Sequence, residues 1–131
     1  MGKTSGGRRA AVVKDADGAA RYFLGGHIWI DGAEGAFLGM GRMLLLERIR
    51  SLGSITRAAK SINMSYRRAW ELVESMNRQA RTPLVVASTG GKGGGGAVLT
   101  EAGEKAFAIF KRMDADFQRF KARQSEKLKE F

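Results

Sequence analysis

The sequence contains no cysteine and only one histidine, His27, and these shortages exclude several kinds of site. Without thiols there are no disulfides and no thiolate ligands for a metal ion. A single imidazole leaves only one candidate base for a Ser-His or Cys-His triad. It also cannot complete a zinc site of the usual ligand set. We therefore expect no catalytic residues, no metal and no cofactor, and a protein that is not an enzyme.

Long apolar runs and acidic residues are also scarce. No run approaches the roughly 20 residues that span a bilayer, and no apolar stretch follows the basic N-terminus as a secretory signal would require. We therefore expect a cytoplasmic protein without a membrane partner. The sequence has only 13 Asp and Glu residues against 23 Lys and Arg residues, which gives a net charge of +10. This excess predicts a polyanionic partner, with nucleic acid first.

The 131 residues suffice for one ordinary domain. Residues 1–20 are glycine-rich and basic, which is typical of a flexible tail. We place the folded domain at 21–120 and a charged, fraying helix end at 121–131. Within the folded domain, the short apolar runs at 22–24 and 27–30 are bounded by turn residues and predict a pair of strands.

The periodicity after residue 40 is helical. Gly53 suits a helix C-terminus, Ser54 and Thr100 suit N-caps, and Asn63 suits a turn that needs positive φ. The predicted elements are helices at 41–52, 55–62, 65–80 and from 101 to about 127, and strands at 84–87 and 97–99. This order predicts a mainly α protein with a small β component, namely a winged helix-turn-helix with a long C-terminal dimerisation helix.

The middle helices satisfy the requirements of a helix-turn-helix. Ala58 and Ala59 are small enough for a close helix crossing. Apolar residues recur at helical spacing on the inner face of the helix at 65–80, at Ala69, Leu72, Val73 and Met76. For Trp70, between the buried and exposed faces, we favour core packing over contact with DNA.

With that face buried, the N-terminus of the helix at 65–80 would enter a major groove. Arg67 or Arg68 would read guanine with two hydrogen bonds, and Ser65 would hold a phosphate or a base edge. Adjacent arginines are also common on solvated faces, which is the alternative. The predicted contacts from these helices are Ser54, Thr56, Arg57, Ser65, Tyr66, Arg67 and Arg68.

Six of the seven residues at 90–96 are glycine. The loop formally contains G-x-G-x-x-G, but a strand-like run follows it rather than the helix that a dinucleotide site requires. A hairpin wing at 84–100 explains it better, because glycine amides approach phosphates closely and Lys92 adds a charge. The predicted wing contacts are Gly91, Lys92, Gly93 and Gly94.

The last helix carries an apolar seam with heptad spacing. A protruding helix with such large apolar residues needs a covering partner, so we expect a homodimer with two-fold symmetry. The residues expected to form its interface are Phe110, Met113, Phe117 and Phe120.

Several stretches resemble the DNA-binding domain of the molybdate-responsive regulator family ModE, whose winged helix is similar to that of LysR-type regulators. They are Gly53-Ser54-Ile55-Thr56, Ala58-Ala59-Lys60, Met64-Ser65-Tyr66-Arg67-Arg68-Ala69-Trp70, Met76-Asn77 and 89–100. The resemblance covers roughly 27–120 and implies dimerisation through helices and control of genes for molybdate uptake or molybdenum enzymes.

In that family separate domains bind the oxyanion. We therefore expect a stand-alone form without those domains, which does not bind molybdate directly. The leading hypothesis is a sequence-specific transcriptional regulator that binds double-stranded DNA. The alternatives are a nonspecific or architectural DNA binder and a winged-helix module for protein interaction.

Overall fold

The computed structural model describes residues 13–14, 20–89 and 95–131, which fall into two compact units. The smaller unit contains the antiparallel pair β1 (Val13–Lys14) and β2 (Ala20–Arg21), and residues from 114 onward. The larger unit spans residues 28–113. Its elements are β3 (Ile30–Gly32), β4 (Gly35–Leu38), α1 (Met40–Leu52), α2 (Ile55–Ser61), α3 (Tyr66–Gln79), β5 (Val85–Ser88), β6 (Gly96–Leu99) and the first half of α4 (Glu101–Glu126). A short 3-10 helix, Lys127–Glu130, follows α4.

The boundaries of the first three helices are set by local signals that the sequence predicted. Gly53 ends α1 in the left-handed conformation, with φ of 72°, and donates its N–H to the Ile49 carbonyl. The Ser54 hydroxyl then accepts the N–H of Arg57 at 3.1 Å and caps α2. Asn63, with φ of 59°, makes the turn into α3. The predicted helix-turn-helix is confirmed.

The core of the larger unit lies where α1, α2 and α3 meet. Ala58 and Ala59 are almost fully buried, as a close crossing of helices requires. The inner face of α3 is buried as predicted, at Ala69, Leu72, Val73 and Met76. The α1 residues Met43, Leu45, Leu46 and Ile49 complete this part of the core.

The β5–β6 hairpin confirms the strands that frame the predicted wing. Its register pairs Val85 with Leu99 and Ser88 with Gly96. The Thr100 hydroxyl accepts the N–H of Gly103 at 3.0 Å and caps α4. A Cβ atom on Gly103 would overlap the Leu84 carbonyl, so glycine allows α4 to begin directly against the base of the hairpin.

The strands predicted at 22–24 and 27–30 are wrong. Residues 22–29 form no strand, and only Ile30 enters one. The hairpin forms later in the chain, because Gly35 adopts a φ of 103° and closes the turn between β3 and β4. Within the smaller unit, the backbone near residues 24–26 bonds instead to side chains distant in sequence: Ser125 accepts from the Leu24 N–H, and the Lys121 ammonium donates to the Gly26 carbonyl.

The predicted interface seam of α4 is wrong at Phe110, because this side chain is only 1% exposed and lies within the larger unit. It belongs to this chain's own core and is not available to a second subunit. Met113 is exposed on the same helix. In the smaller unit, Phe117 is half-buried and stacks on the exposed Phe120 with ring centroids 6.2 Å apart. No helix among the described residues is apolar over enough of its length to span a membrane.

The burial of Phe110 predicts a large loss of stability on truncation. We expect Phe110→Ala to lower the free energy of unfolding by about 3–5 kcal/mol, since a full ring is removed from the core. The exposed neighbour Ile109 is the control, and Ile109→Ala should cost about 1 kcal/mol or less. Urea denaturation measures both values, and equal losses would contradict the assignment of Phe110 to the core.

Candidate nucleic-acid interface

The first turn of α3 presents a polar and cationic surface to solvent. Tyr66, Arg67 and Arg68 are all exposed, while Ala69 next to them is fully buried. The Ser65 hydroxyl caps the helix by accepting the N–H of Arg68 at 3.0 Å. Its own proton is still available for an acceptor such as a phosphate oxygen.

The second contribution comes from α2. Thr56 and Arg57, two of the predicted contacts, are exposed, and Lys60 is exposed on the same helix. Thr56 lines the same open cleft as Tyr66, so these two predicted contacts, one from each helix, lie on one surface. Ser54 differs from them because it is half-buried and its hydroxyl caps α2.

The outward face of α3 changes sign along its length. Arg67, with a side chain 87% exposed, pairs with Glu71 through Nε and Oε2 at 3.3 Å. Near the C-terminal end of the helix, Arg78 pairs with Glu74 at 4.0 Å and with Glu34 at 2.9 Å. Positive charge is therefore least compensated at the first turn of the helix.

One edge of α3 is cationic. Arg42, in the first turn of α1, donates from a terminal amino group to the Ser75 hydroxyl at 3.0 Å. Burial lowers the pKa of the Arg42 guanidinium, and the like charge of Arg68 lowers it further. An arginine remains charged even so. Two guanidinium groups therefore act on the same region, and an anion bound there would relieve their repulsion.

The opposite edge of α3 is aromatic. Tyr66 is 51% exposed and Trp70, one turn later, is 46% exposed. Together with β5 they line an open cleft of about 520 Å³. The prediction that Trp70 packs in the core is wrong, because the stripe at Ala69, Val73 and Met76 already fills that side of the helix. The four-residue spacing between Tyr66 and Trp70 is the signal that places both on one edge.

Asn77 joins the base of the hairpin to α3, a role that the sequence reasoning missed. Its side-chain oxygen accepts the N–H groups of Leu84 and Val85 at 2.8 and 3.2 Å. Its amide nitrogen donates to the Val85 carbonyl at 2.9 Å. Because one side chain bonds three backbone groups of the adjoining segment, the start of β5 has a fixed position relative to α3.

The wing contacts predicted at Gly91, Lys92, Gly93 and Gly94 lie outside the described residues. The flanking strands β5 and β6 are described, and their last pair is Ser88 with Gly96. The described residues contain no group of three or more His, Cys, Asp or Glu side chains that could hold a metal ion.

Comparison with known families identifies the class of domain. Residues 40–104 match the model of the bacterial regulatory helix-turn-helix proteins of the LysR family. The matched segment runs from the start of α1 to the first turn of α4, and thus includes the helix-turn-helix and the hairpin. The chain therefore carries a LysR-type helix-turn-helix domain.

Within this class, the chain is similar to several ModE proteins and their relatives. It is 41% identical over 101 residues to a molybdenum transport protein ModE of Azotobacter vinelandii, covering 77% of this chain and 37% of that protein. It is 47% identical over 81 residues to a molybdenum-pterin-binding protein, MopB, of Rhodobacter capsulatus, covering 62% and 30%. It is 44% identical over 69 residues to a DNA-binding transcriptional dual regulator ModE of Escherichia coli K12, covering 53% and 26%.

These matches define a ModE-like DNA-binding domain. The chain spans only 26–37% of the length of the three relatives, so they inform this domain more than they inform the activity of a whole protein.

The exposure of Trp70 predicts its fluorescence. In a Trp29→Phe variant Trp70 is the sole tryptophan, and its emission should be red-shifted and readily quenched by acrylamide, since half of the indole faces water. Trp70→Phe, which leaves Trp29, is the matched control because Trp29 is also exposed. A blue-shifted emission from Trp70 that resists quenching would contradict its position at the edge of α3.

Proposed function

We propose that this domain binds double-stranded DNA sequence-specifically as part of a transcriptional regulator and has no catalytic activity. The first turn of α3 enters the major groove, and the β5–β6 hairpin follows the adjacent minor groove. The observation that carries the proposal is the sign pattern of α3. Its cationic turn at Arg67 and Arg68 is exposed next to α2, while the opposite stripe is buried.

Each side chain then has a role set by its chemistry. The terminal amino groups of Arg67 match the O6 and N7 acceptors of guanine in the major groove. Arg42 and Arg68 together attract a phosphate, and Thr56, Arg57 and Ser65 supply further phosphate contacts. Ser54 acts indirectly, by capping α2.

The two edges of α3 complete the interface. Tyr66 and Trp70 pack their exposed rings against the sugars of the strand that separates the two grooves. Lys92, with Gly91, Gly93 and Gly94, contacts the DNA backbone, because glycine permits a close approach to phosphates.

We further propose that the genes controlled serve molybdenum metabolism. Support comes from the names of relatives at 41% and 47% identity, a molybdenum transport protein and a molybdenum-pterin-binding protein. Molybdate itself is not a ligand of this domain in our proposal, because its cationic edge is assigned to DNA phosphate.

A selection experiment tests the DNA-binding function. Duplexes enriched by the protein from a randomised pool are titrated against a scrambled duplex, with and without molybdate. We expect a preference of about a thousandfold or more for the selected duplex, unchanged by molybdate.

The other outcomes of the selection separate the alternatives. A steep salt dependence without sequence preference would indicate a nonspecific binder. Failure to bind either duplex would indicate a protein-interaction module. A preference altered by molybdate would contradict the assignment of the cationic edge to DNA alone.

We also propose that the protein binds its site as a homodimer through α4. Met113 and Phe120 are 46% and 42% exposed, and Phe117 lies between them in the heptad pattern. Phe110 is excluded from this interface because it is buried in the core. A two-fold dimer would present two copies of α3 to a palindromic site.

A charge introduced on the seam should separate the dimer. We expect Phe120→Glu to sediment as a monomer at concentrations where the parent protein is dimeric. The two apposed carboxylates repel each other, and the interface loses the apolar contacts of the Phe120 ring. Ala115→Glu adds the same charge at an exposed position on the other side of α4 and should remain dimeric. If the parent protein is itself monomeric, or if Phe120→Glu stays dimeric, the proposed interface is wrong.

A further inference from the structure

Glu71 stands on the face of α3 that the proposed function directs into the major groove. Its side chain is 46% exposed and lies one helical turn from Arg67. A free carboxylate close to two rows of phosphates is unfavourable. An exposed ion pair at i,i+4 contributes only about 0.3–0.5 kcal/mol to stability, so stability does not account for an acidic residue there.

The geometry of the Arg67–Glu71 pair leaves part of the guanidinium group open. Glu71 Oε2 contacts Arg67 at Nε, with a separation of 3.3 Å, and no other Arg67 nitrogen has a partner in the part of the chain that the structure describes. The two terminal nitrogens carry four of the five guanidinium protons. They form the planar fork that fits guanine O6 and N7. The carboxylate therefore occupies the side of the guanidinium that this base contact leaves unused.

We propose that Glu71 is a positioning residue, which holds Arg67 at Nε so that its terminal amino groups face a guanine and thereby sets the discrimination at that base pair. This inference rests on the proposed DNA-binding function. An arginine side chain has large rotamer freedom, and anchoring one nitrogen reduces the freedom lost when the fork binds.

The Glu71–Arg67 contact also prevents nonproductive arrangements. Arg67 is 87% exposed, so without Glu71 its guanidinium can reach a phosphate instead of a base edge. A phosphate contact gives affinity on any sequence, whereas the guanine contact gives discrimination. Loss of the carboxylate therefore favours general affinity over selectivity.

The helix contains its own matched control in Glu74. This residue has a comparable exposure, 50%, and also pairs with an arginine at i,i+4, Arg78. Arg78 lies more than a turn beyond the proposed base contacts, and Glu34 also holds it, at 2.9 Å. Glu71→Ala and Glu74→Ala each remove one negative charge and place a strong helix former on the surface. Both should fold, and both should bind any duplex more tightly through charge alone.

The test compares discrimination rather than affinity. The base pair read by Arg67 is identified as the one at which Arg67→Ala loses its preference between guanine and adenine. The parent protein, Glu71→Ala and Glu74→Ala are then titrated with the selected duplex and with the duplex changed at that pair. We expect Glu71→Ala to lower the ratio of the two affinities about five- to tenfold, a substantial part of the discrimination that one bidentate contact gives. Glu74→Ala should leave the ratio within about twofold.

Failure of this inference is distinguishable from failure of the proposed function. An unchanged ratio in Glu71→Ala, with Arg67→Ala abolishing it, would overturn the positioning role while DNA reading by Arg67 stands. Equal losses in the Glu71→Ala and Glu74→Ala variants would mean a general charge effect and would also overturn it. If Arg67→Ala keeps every base preference, Arg67 reads no base and the inference fails. Absence of any selected duplex for the parent protein would overturn both proposals.

Discussion

Burial of one apolar stripe of α3 sets the rotation of that helix about its axis, and the whole interface follows from that rotation. Leu72, Val73 and Met76 each contribute about 1.5–3 kcal/mol by leaving water. Turning the helix by a single residue position would replace two of these three side chains with polar or charged ones. With the stripe held, Arg67 and Glu71 face outward, Arg68 faces Arg42, and the rings of Tyr66 and Trp70 form the remaining edge.

A second constraint connects this helix to the hairpin. The hydrogen bonds of Asn77 to Leu84 and Val85 fix the start of β5 against α3, and the hairpin continues from there. The helix and strand β5 therefore lie side by side in the larger unit, and α3 has a cationic edge at Arg42 and Arg68 and an aromatic edge at Trp70. A DNA duplex presents phosphates, base edges and sugars side by side. In our proposal they match the cationic edge, the outward face with Arg67 and the aromatic edge, respectively.

The sequence predicted the features that depend on neighbouring residues. Gly53, Ser54 and Asn63 act through their own backbone preferences, so their roles as caps and turn were readable. Features that depend on partners distant in the sequence could not be predicted in this way. Residues 22–29 form no strand, and Ser125 and Lys121 bond instead to backbone groups of Leu24 and Gly26. Phe110 and Trp70 were misplaced because helical spacing assigns a residue to a face without revealing what covers that face.

In the function that we propose, the first turn of α3 is the part of the protein that reads DNA. Amide chemical shifts measured during titration with the selected duplex test it most directly, because each backbone N–H reports its own surroundings. We expect the largest changes on residues 65–70 and 56–57, with small changes in β3 and β4. Small changes at 65–70 together with large ones in the β3–β4 hairpin would contradict it.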